Sequence, residues 1–237
     1  MKKKGIIIFV LVLAFMSGFK YMGTVHESYC IMEQSGLKSP VYYVKGKEKG
    51  PKIFVIGGIH GNEIGGIEAA EKIRKLRIKK GTIIVIPRSN IEACKNEERN
   101  PYYMQDLNRN FPGKNNGTDT EKLAYEIYGL IKREKPDIVI DLHEWESNSP
   151  AIIFNSTNNI FSLILDIIDK MNNNVIKMSN FSYYSTPPVG SINKEVSEKL
   201  NIPVITIESD MKEKLEDRIN MHMYIINTVL KYYRMDE

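Results

Sequence analysis

Short apolar runs that alternate with stretches of helical periodicity constrain the fold of this chain more than any other feature of its sequence. Runs of about four to eight apolar, β-branched residues are typical of strands buried on both faces. Strands separated by helices pair in parallel and need helices on both sides of the sheet. The pattern therefore predicts an α/β fold, a three-layer α/β/α arrangement around a mixed, mainly parallel sheet. The predicted buried strands are Lys52–Ile56, Thr82–Ile86, Asp137–Leu142 and Val204–Glu208.

Weaker signals complete the pattern. A possible edge strand is predicted at Pro40–Val44 and a short strand at Ile152–Phe154. The stretches Asn96–Asn116 and Ser179–Ser191 are predicted loops. Thr118 suits a helix N-cap, because its hydroxyl can accept a hydrogen bond from the first backbone N–H groups. The predicted helices are Gly65–Leu76, Asp119–Lys132, Asn159–Met171, Lys194–Leu200 and Glu213–Tyr232.

Length and composition limit the classes of protein that fit. The 237 residues suit one α/β domain and are too few for two comfortable ones. A hydrophobic share of 42% and a charged share of 26% exclude a disordered protein, a collagen-like repeat and a polytopic membrane protein. The net charge of +4 comes from four lysines in the first 20 residues, after which acidic and basic residues are equal in number. We therefore expect no nucleic-acid partner.

The N-terminus has the pattern of a targeting segment. Lysines at positions 2–4 precede the uncharged run Gly5–Phe19, as in a secretory signal peptide or signal anchor. The run is at the short end for a membrane span, so cleavage and retention as an anchor are both open. We expect residues 1–23 to be the leader. Because its positive end stays in the cytoplasm, residues 24–237 would form one extracytoplasmic domain, membrane-anchored or secreted.

The two cysteines, Cys30 and Cys94, are too few for a disulfide scaffold or a zinc ribbon. An oxidising compartment would permit a disulfide between them. The sequence alone leaves that pairing open.

The turn after the strand at Lys52–Ile56 places a histidine and a glutamate together. The segment Gly57–Glu63 reads GGIHGNE, so His60 and Glu63 are three positions apart. Imidazole nitrogen and carboxylate oxygen both bind zinc at about 2.0–2.2 Å, and two His with one Glu is a usual set for a catalytic zinc. Ligand sites in such sheets lie beyond the carboxyl ends of the strands. His143, at the end of another strand, is therefore the predicted third ligand.

Each of these residues also has a purely structural interpretation. An H-x-x-E pair on a helix usually forms a solvated contact, and a single histidine at a strand end is commonly a hydrogen-bonded core residue. The strand, the two glycines and the helix that follows favour the metal site. A membrane-anchored structural protein with incidental His and Glu residues would bind no stoichiometric zinc.

Four motifs in a fixed order resemble a known family. They are GGIHGNE at Gly57–Glu63, DLNRNFPG at Asp106–Gly113, DLHE at Asp141–Glu144 and TIES at Thr206–Ser209. Together they look like the succinylglutamate desuccinylase/aspartoacylase family, part of the zinc carboxypeptidase-like group, over roughly residues 50–230. The resemblance implies the zinc carboxypeptidase-like fold and one zinc ion per chain, with His60, Glu63 and His143 as ligands.

The resemblance also assigns roles around the zinc. Asp106 matches the carboxylate that orients the first histidine, and such a partner fixes the imidazole tautomer. Asn108 and Arg109 match the pair that binds the carboxylate of the substrate. An arginine suits that role because its guanidinium offers a bidentate fork.

Two further residues are predicted to act in catalysis. Glu208, at a strand end, matches the glutamate that takes a proton from the attacking water and returns it to the leaving amine. An ordinary strand-end carboxylate is the alternative for Glu208. Arg99, aligned through Ala93–Lys95, matches the arginine that polarises the scissile carbonyl. Arg88, just after a strand, is the competing candidate.

The sequence departs from the family after Glu208. Members usually carry a β-rich C-terminal domain that narrows the pocket, whereas the residues that follow Glu208 read as one helix. We therefore expect no C-terminal β domain and a more open site.

The predicted function is that of a zinc-dependent hydrolase that cleaves an amide next to a carboxylate-bearing group. It would be a deacylase of this family, acting on a small acylated amino acid or peptide. An extracytoplasmic metallocarboxypeptidase acting on peptides or cell-wall stem peptides is an alternative, because the same carboxylate clamp would serve it. A non-catalytic, membrane-anchored binding domain is a second alternative, although no predicted ligand or base is lost. The membrane is a partner only if the leader is retained.

Overall fold

The computed structural model describes residues 24–33, 36–146, 149–156, 159–173 and 181–236. These residues form one eight-stranded sheet with helices on both faces. The strands are β1 Val25–Ile31, β2 Ser39–Lys45, β3 Glu48–Gly57, β4 Lys80–Ile86, β5 Ile138–Trp145, β6 Ala151–Phe154, β7 Ser182–Tyr184 and β8 Val204–Asp210. The helices are α1 Ile64–Ile73, α2 Ile91–Asn96, α3 Asp119–Glu134, α4 Phe161–Asn173, α5 Ile192–Leu200 and α6 Leu215–Tyr232, with a short 3₁₀ turn at Leu107–Arg109.

The sheet is parallel at its centre and mixed towards its edges, where β1 and β2 pair in antiparallel orientation and β6 and β7 in parallel. Its strand order is β1-β2-β4-β3-β5-β8-β6-β7. The four central strands, β4, β3, β5 and β8, run in the same direction. Strand β2 joins β4 in antiparallel orientation, and β6 joins β8 in the same way. The predicted mixed, mainly parallel sheet is therefore confirmed.

Two hydrophobic clusters cover the two faces of the sheet. Along β3, Ile53 and Val55 belong to one cluster, whereas Phe54 and Ile56 belong to the other. Successive side chains of a strand point to opposite faces, so a continuous apolar run serves both clusters. The first cluster contains residues of α1, α4 and α6, and the second contains residues of α3 and α5. This arrangement confirms the predicted three layers.

The helix predicted from Asp119 begins where its capping signal lies. Thr118 accepts a hydrogen bond from the backbone N–H of Glu121, and the carboxylate of Glu121 accepts one from the backbone of Thr118. This reciprocal capping box satisfies backbone donors that the first turn leaves free. The helix ends at Glu134, two residues beyond the predicted end.

Three elements were not predicted, namely β1, α2 and β7. Strand β1 is the outer strand, so the segment predicted as an edge strand at Pro40–Val44 lies one position inside the sheet, within β2. Most residues of β1 are exposed, and such a strand carries little of the apolar signal that marks a buried one. Strand β7 has only three residues and lies within the loop predicted at Ser179–Ser191.

The predicted leader, residues 1–23, lies outside the described residues. No helix in the described part of the chain is long and apolar enough to cross a membrane. Cys30 and Cys94 are both free thiols. Burial raises the pKa of the Cys94 thiol to about 12, so this side chain stays protonated at neutral pH.

Candidate active site

The carboxyl ends of three adjacent parallel strands carry the candidate site. Strand β3 ends at Gly57, and the turn between it and α1 holds His60 and Glu63. His143 lies on β5 and is the register partner of Glu208 on the neighbouring strand β8. The sheet thereby brings residues together that are far apart in the sequence, at the edge where ligand sites of α/β sheets form.

The turn between β3 and α1 requires glycine at two positions. Gly58 has a φ of +66°, a left-handed conformation that glycine adopts without steric cost. A Cβ atom on Gly61 would lie 2.0 Å from the carbonyl oxygen of Ala93, so a side chain does not fit there. The turn consequently packs against the backbone of α2. The side chains of His60 and Glu63, which belong to this turn, are buried.

The side chains of His60, Glu63 and His143 converge on one point. Nδ1 of His60 lies 2.6 Å from Oε1 of Glu63, and Nδ1 of His143 lies 2.7 Å from Oε2 of the same carboxylate. One ligand atom from each residue lies within 4.8 Å of the other two. All three side chains are buried. The structure therefore brings the three predicted ligands together.

These residues fit a zinc ion by their charge and by an unsatisfied oxygen. Burial alone would raise the pKa of Glu63, but His143 and His60 outweigh it and lower that pKa to about 2. The carboxylate is therefore ionised, as metal binding requires. Its buried Oε2 lies 2.7 Å from Nδ1 of His143 but without the geometry of a hydrogen bond, so a bound cation would satisfy this oxygen. Two imidazole nitrogens and one carboxylate form a usual catalytic zinc set.

Asp106 links the first histidine to a cavity arginine. Oδ1 of Asp106 lies 3.0 Å from Nε2 of His60, and its Oδ2 accepts a hydrogen bond from Nη2 of Arg99 at 2.8 Å. Burial would raise the pKa of Asp106, but His60 and Arg99 hold it well below its usual range. A carboxylate on the outer nitrogen leaves Nδ1 of His60 for a metal ion.

His143 has a carboxylate partner that the sequence analysis did not assign. Nε2 of His143 lies at ion-pair distance, 3.1 Å, from Oδ1 of Asp141. The hydroxyl of Thr206 donates to Oδ2 of Asp141 at 3.1 Å, and Asp141 is fully buried. Alternate residues of a strand share one face, so the D-x-H spacing within β5 was a signal for this pair.

Asn108 and Arg109 differ in how they meet the cavity. Asn108 is 8% exposed, and its Oδ1 accepts a hydrogen bond from the backbone N–H of Ile192 at 3.0 Å. Its Nδ2 lies 3.2 Å from Nε2 of His143. Arg109 is exposed, lines the cavity and donates from Nη1 to the carbonyl oxygen of Asn108 at 2.7 Å. The guanidinium of Arg109 is therefore the more accessible half of the predicted clamp.

Arg99 and Arg88, the two candidates for the arginine that polarises the scissile carbonyl, occupy different places. Arg99 lines the cavity and is held by Asp106. Arg88 instead forms ion pairs at 3.2 Å with Glu68 and Glu71 on α1. The geometry favours Arg99 over Arg88 for contact with a substrate.

Glu208 lies beside His143 on the neighbouring strand and lines the cavity. Burial raises its pKa to about 8, although His143 acts in the opposite direction. A carboxyl group with a pKa near neutrality can both accept and return a proton. The environment of Glu208 therefore suits the general base predicted from the sequence.

The cavity at these residues has a volume of about 190 Å³. The lining residues not yet described are Glu144, Trp145, Ile153, Pro188, Ser191 and Asn193. Pockets for drug-sized ligands measure about 300–1,000 Å³, so this cavity fits a small acyl or amino-acid group. A larger substrate would extend past Trp145, which contacts the half-exposed Tyr184 with ring centres 5.8 Å apart.

Comparisons with known proteins agree with this geometry. Residues 49–209 match a family model described as the succinylglutamate desuccinylase/aspartoacylase catalytic domain. An N-alpha-acetyl-L-2,4-diaminobutyric acid deacetylase of Halomonas elongata is 39% identical over 108 residues, which are 44% of this chain and 31% of that protein. The chain thus matches about a third of the length of this curated relative.

Solved structures share the fold. An aspartoacylase family protein from Mesorhizobium loti has a TM-score of 0.70 and 21% identity, over 91% of this chain and 68% of that protein. The product-bound cell shape determinant protein Csd4 of Helicobacter pylori has a TM-score of 0.73 and 17% identity, over 82% of this chain and 55% of that protein. At such identities these likenesses establish the fold alone.

Proposed function

The chain belongs to the succinylglutamate desuccinylase/aspartoacylase catalytic-domain family, and on that basis we propose that it is a zinc-dependent deacylase. Its substrate would be a small N-acylated amino acid or peptide whose carboxylate lies close to the scissile amide. The observation that carries the proposal is the position of Glu208 beside His143, in one cavity with His60 and Glu63.

His60, Glu63 and His143 would hold the zinc ion. Zinc bound there would polarise the scissile carbonyl and lower the pKa of water toward ~7. Asp106 would keep His60 in the tautomer whose Nδ1 is available, and Asp141 would do the same for His143.

Glu208 would act as the general base and then as the general acid. Its carboxylate would accept a proton from the attacking water and deliver it to the leaving amine as the carbon–nitrogen bond breaks. Arg99 would donate hydrogen bonds to the oxyanion that develops on the carbonyl oxygen. Arg109 would bind the carboxylate of the substrate through its guanidinium fork.

The deacetylase of Halomonas elongata, with which the chain shares 39% identity over 108 residues, supports a short acyl group. The cavity volume of about 190 Å³ is consistent with that choice.

A peptidase is the second candidate function. Csd4 of Helicobacter pylori, which has the same fold, has been solved with a bound tripeptide. The rim of Trp145 and Tyr184 gives a longer substrate a surface beyond the cavity. A metallocarboxypeptidase of this chain would use Arg109 for the C-terminal carboxylate of a peptide.

We also propose an extracytoplasmic location. It is supported by the lysines at positions 2–4 and the uncharged run Gly5–Phe19 that follows them. Protease accessibility of the domain in intact cells, with an internal cytoplasmic marker as control, tests this location. Protection of the domain until the cells are lysed would contradict it.

The test of the proposed function uses the purified full chain beside its Glu208→Gln variant. Zinc per chain is measured by elemental analysis, and amine release is measured with N-acetyl and N-succinyl amino acids and with peptides that include cell-wall stem fragments. Stoichiometric zinc with release of amine by the wild type alone is the expected result. Release from peptides and from no acylated amino acid would favour the peptidase. A folded protein without zinc would overturn the proposal, and would favour a structural protein whose His and Glu residues are incidental.

A further inference from the structure

The buried carboxylate of Glu144 has no part in the chemistry described above, yet it joins four segments of the site. Nη1 of Arg218, on α6, donates to Oε2 of Glu144 at 2.7 Å. The backbone N–H of Gly65, in the first turn of α1, donates to the same oxygen at 2.9 Å. The hydroxyl of Ser209, at the end of β8, donates to Oε1 at 2.7 Å. Glu144 itself lies on β5 and is 3% exposed.

Three of the four segments that meet at Glu144 carry a residue of the proposed site within two positions of the contact. Glu144 follows His143, and Ser209 follows Glu208. Gly65 comes two residues after Glu63. The carboxylate of Glu144 therefore connects the backbone segments that carry Glu63, His143 and Glu208.

Helix α1 needs an acceptor at its start that its own N-cap does not provide. Glu63 occupies the N-cap position, but its side chain makes no capping hydrogen bond, because its carboxylate faces the two histidines. The first N–H groups of a helix require acceptors from outside the helix. Glu144 provides one for Gly65 and also places negative charge at the positive end of the helix dipole.

The close approach of Glu144 to α1 depends on the absence of a side chain at Gly65. A Cβ atom there would lie 2.2 Å from Oε1 of Glu144. At the next position, a Cβ atom on Gly66 would lie 2.9 Å from the carbonyl oxygen of Leu142. The start of α1 is thus packed directly against the end of β5, and the carboxylate fills the contact.

We propose that Glu144 is a positioning residue that caps α1 in place of Glu63. Glu63 is thereby free to bind the metal together with His143, beside Glu208. This role rests on the proposed function, since it presumes that Glu63 is a ligand. Arg218 holds the carboxylate of Glu144 in place from α6. Glu144 also lines the cavity, but both of its carboxylate oxygens accept hydrogen bonds, from Arg218, Gly65 and Ser209.

The experiment compares the full-length wild type with Glu144→Gln and with a control, Glu216→Gln, which changes an exposed glutamate on the same helix as Arg218. Zinc affinity is measured by competition with a chelator, and the ligand field by the visible spectrum of the cobalt(II)-substituted protein. An amide at position 144 has no negative charge and presents N–H groups where Glu144 accepts hydrogen bonds. We expect zinc affinity to fall about 10-fold or more and the cobalt spectrum to shift. Circular dichroism should be unchanged, and Glu216→Gln should match the wild type throughout.

The proposal would be overturned if folded Glu144→Gln had the same zinc affinity and the same cobalt spectrum as Glu216→Gln. If Glu144→Gln does not fold, Ser209→Ala decides the matter, because it removes only the donor to Oε1. An unchanged affinity and spectrum in Ser209→Ala would then overturn the proposal, and a change in both would support it. A wild type that binds no zinc would instead refute the proposed function, which is visible before any variant is compared.

Discussion

His143 on β5 and Glu208 on β8 are direct register partners in the parallel sheet. One residue is a proposed ligand and the other the proposed base, so the ladder of backbone hydrogen bonds fixes the distance between them. Sites built on strands hold their geometry better than sites built on loops. Arg99 and Arg109, which lie outside the strands, are more exposed.

Replacing Glu208 by glutamine should slow hydrolysis strongly while zinc remains bound. The amide cannot accept the proton of the attacking water, and general-base catalysis contributes roughly 10²–10⁴-fold to a rate. We expect kcat to fall by about that factor, with zinc per chain unchanged. The matched control is Glu216→Gln. A Glu208→Gln protein with zinc and wild-type kcat would show that the base is another group.

Replacing Asp106 by asparagine should weaken zinc binding. The amide retains the size of the carboxylate but loses the charge that holds the outer nitrogen of His60. Changes to such partners cost about 10–100-fold in metal affinity, so chelator competition should show a loss in that range. Asp166→Asn, which changes a carboxylate paired with Lys170 on the surface of α4, is the control. Equal zinc affinities in the two variants would contradict the role of Asp106.

Arg99 and Arg88 provide a paired test of the oxyanion group. Arg99→Ala should lower kcat by about 10²–10³-fold, the usual loss for a donor to a developing oxyanion. Arg88→Ala should leave kcat close to the wild-type value, because Arg88 is engaged with Glu68 and Glu71 outside the cavity. Steady-state kinetics on one substrate suffice. The reverse order of the two effects would assign the role to Arg88.

Arg109 should act on substrate binding more than on turnover. We expect Arg109→Ala to raise KM by about 10-fold or more for substrates with a free carboxylate, since a charge-assisted bidentate contact is lost. The same variant should change KM little for the corresponding carboxamide substrates. A similar change in KM for both substrate forms would mean that Arg109 binds another part of the substrate.

His222 should make the fold sensitive to acid. It is fully buried, and burial lowers its pKa to about 3, with His143 and Arg218 acting in the same direction and Glu63 against them. Because the folded pKa lies below the unfolded value of about 6.5, the stability held above pH 6.5 is lost as the pH falls toward 3. The loss attributable to this histidine is on the order of 4 kcal/mol.

Urea unfolding between pH 8 and pH 4 measures this effect. His222→Leu should lose less stability over that range than the wild type, whereas His26→Leu, at an exposed histidine, should behave as the wild type does. Parallel pH curves for all three proteins would rule out His222 as the acid-sensitive group.

The sequence predicts the central part of this fold well, because each inner strand is buried on both faces and contains almost only apolar residues. Strand β1 escapes prediction since it is an exposed outer strand, and β7 because three residues carry no periodicity. The same logic applies to the site. The convergence of His60, Glu63 and His143 follows from their positions in the turn after β3 and near the carboxyl end of the adjacent strand β5.

Other site contacts depend on partners that no local pattern identifies. The amide of Asn108 bonds to the backbone of Ile192, 84 positions away in the chain. The carboxylate of Glu144 meets Arg218, which is 74 positions away. Such pairs are fixed by how α5 and α6 pack on the sheet. Only the structure therefore shows that Asn108 is buried whereas Arg109 is exposed, although the sequence predicts them as one clamp.

The strand order also sets an order of events during synthesis. Strand β8, the last strand along the described part of the chain, lies between β5 and β6, so β6 and β7 cannot join the sheet until β8 has been synthesised. Between the emergence of Phe154 and that of Asp210, the buried side of β6 and the free edge of β5 are open to other chains. Unpaired strand edges are where chains aggregate. A nascent chain halted within this interval should therefore need a chaperone, whereas one released after Asp210 should close its own sheet.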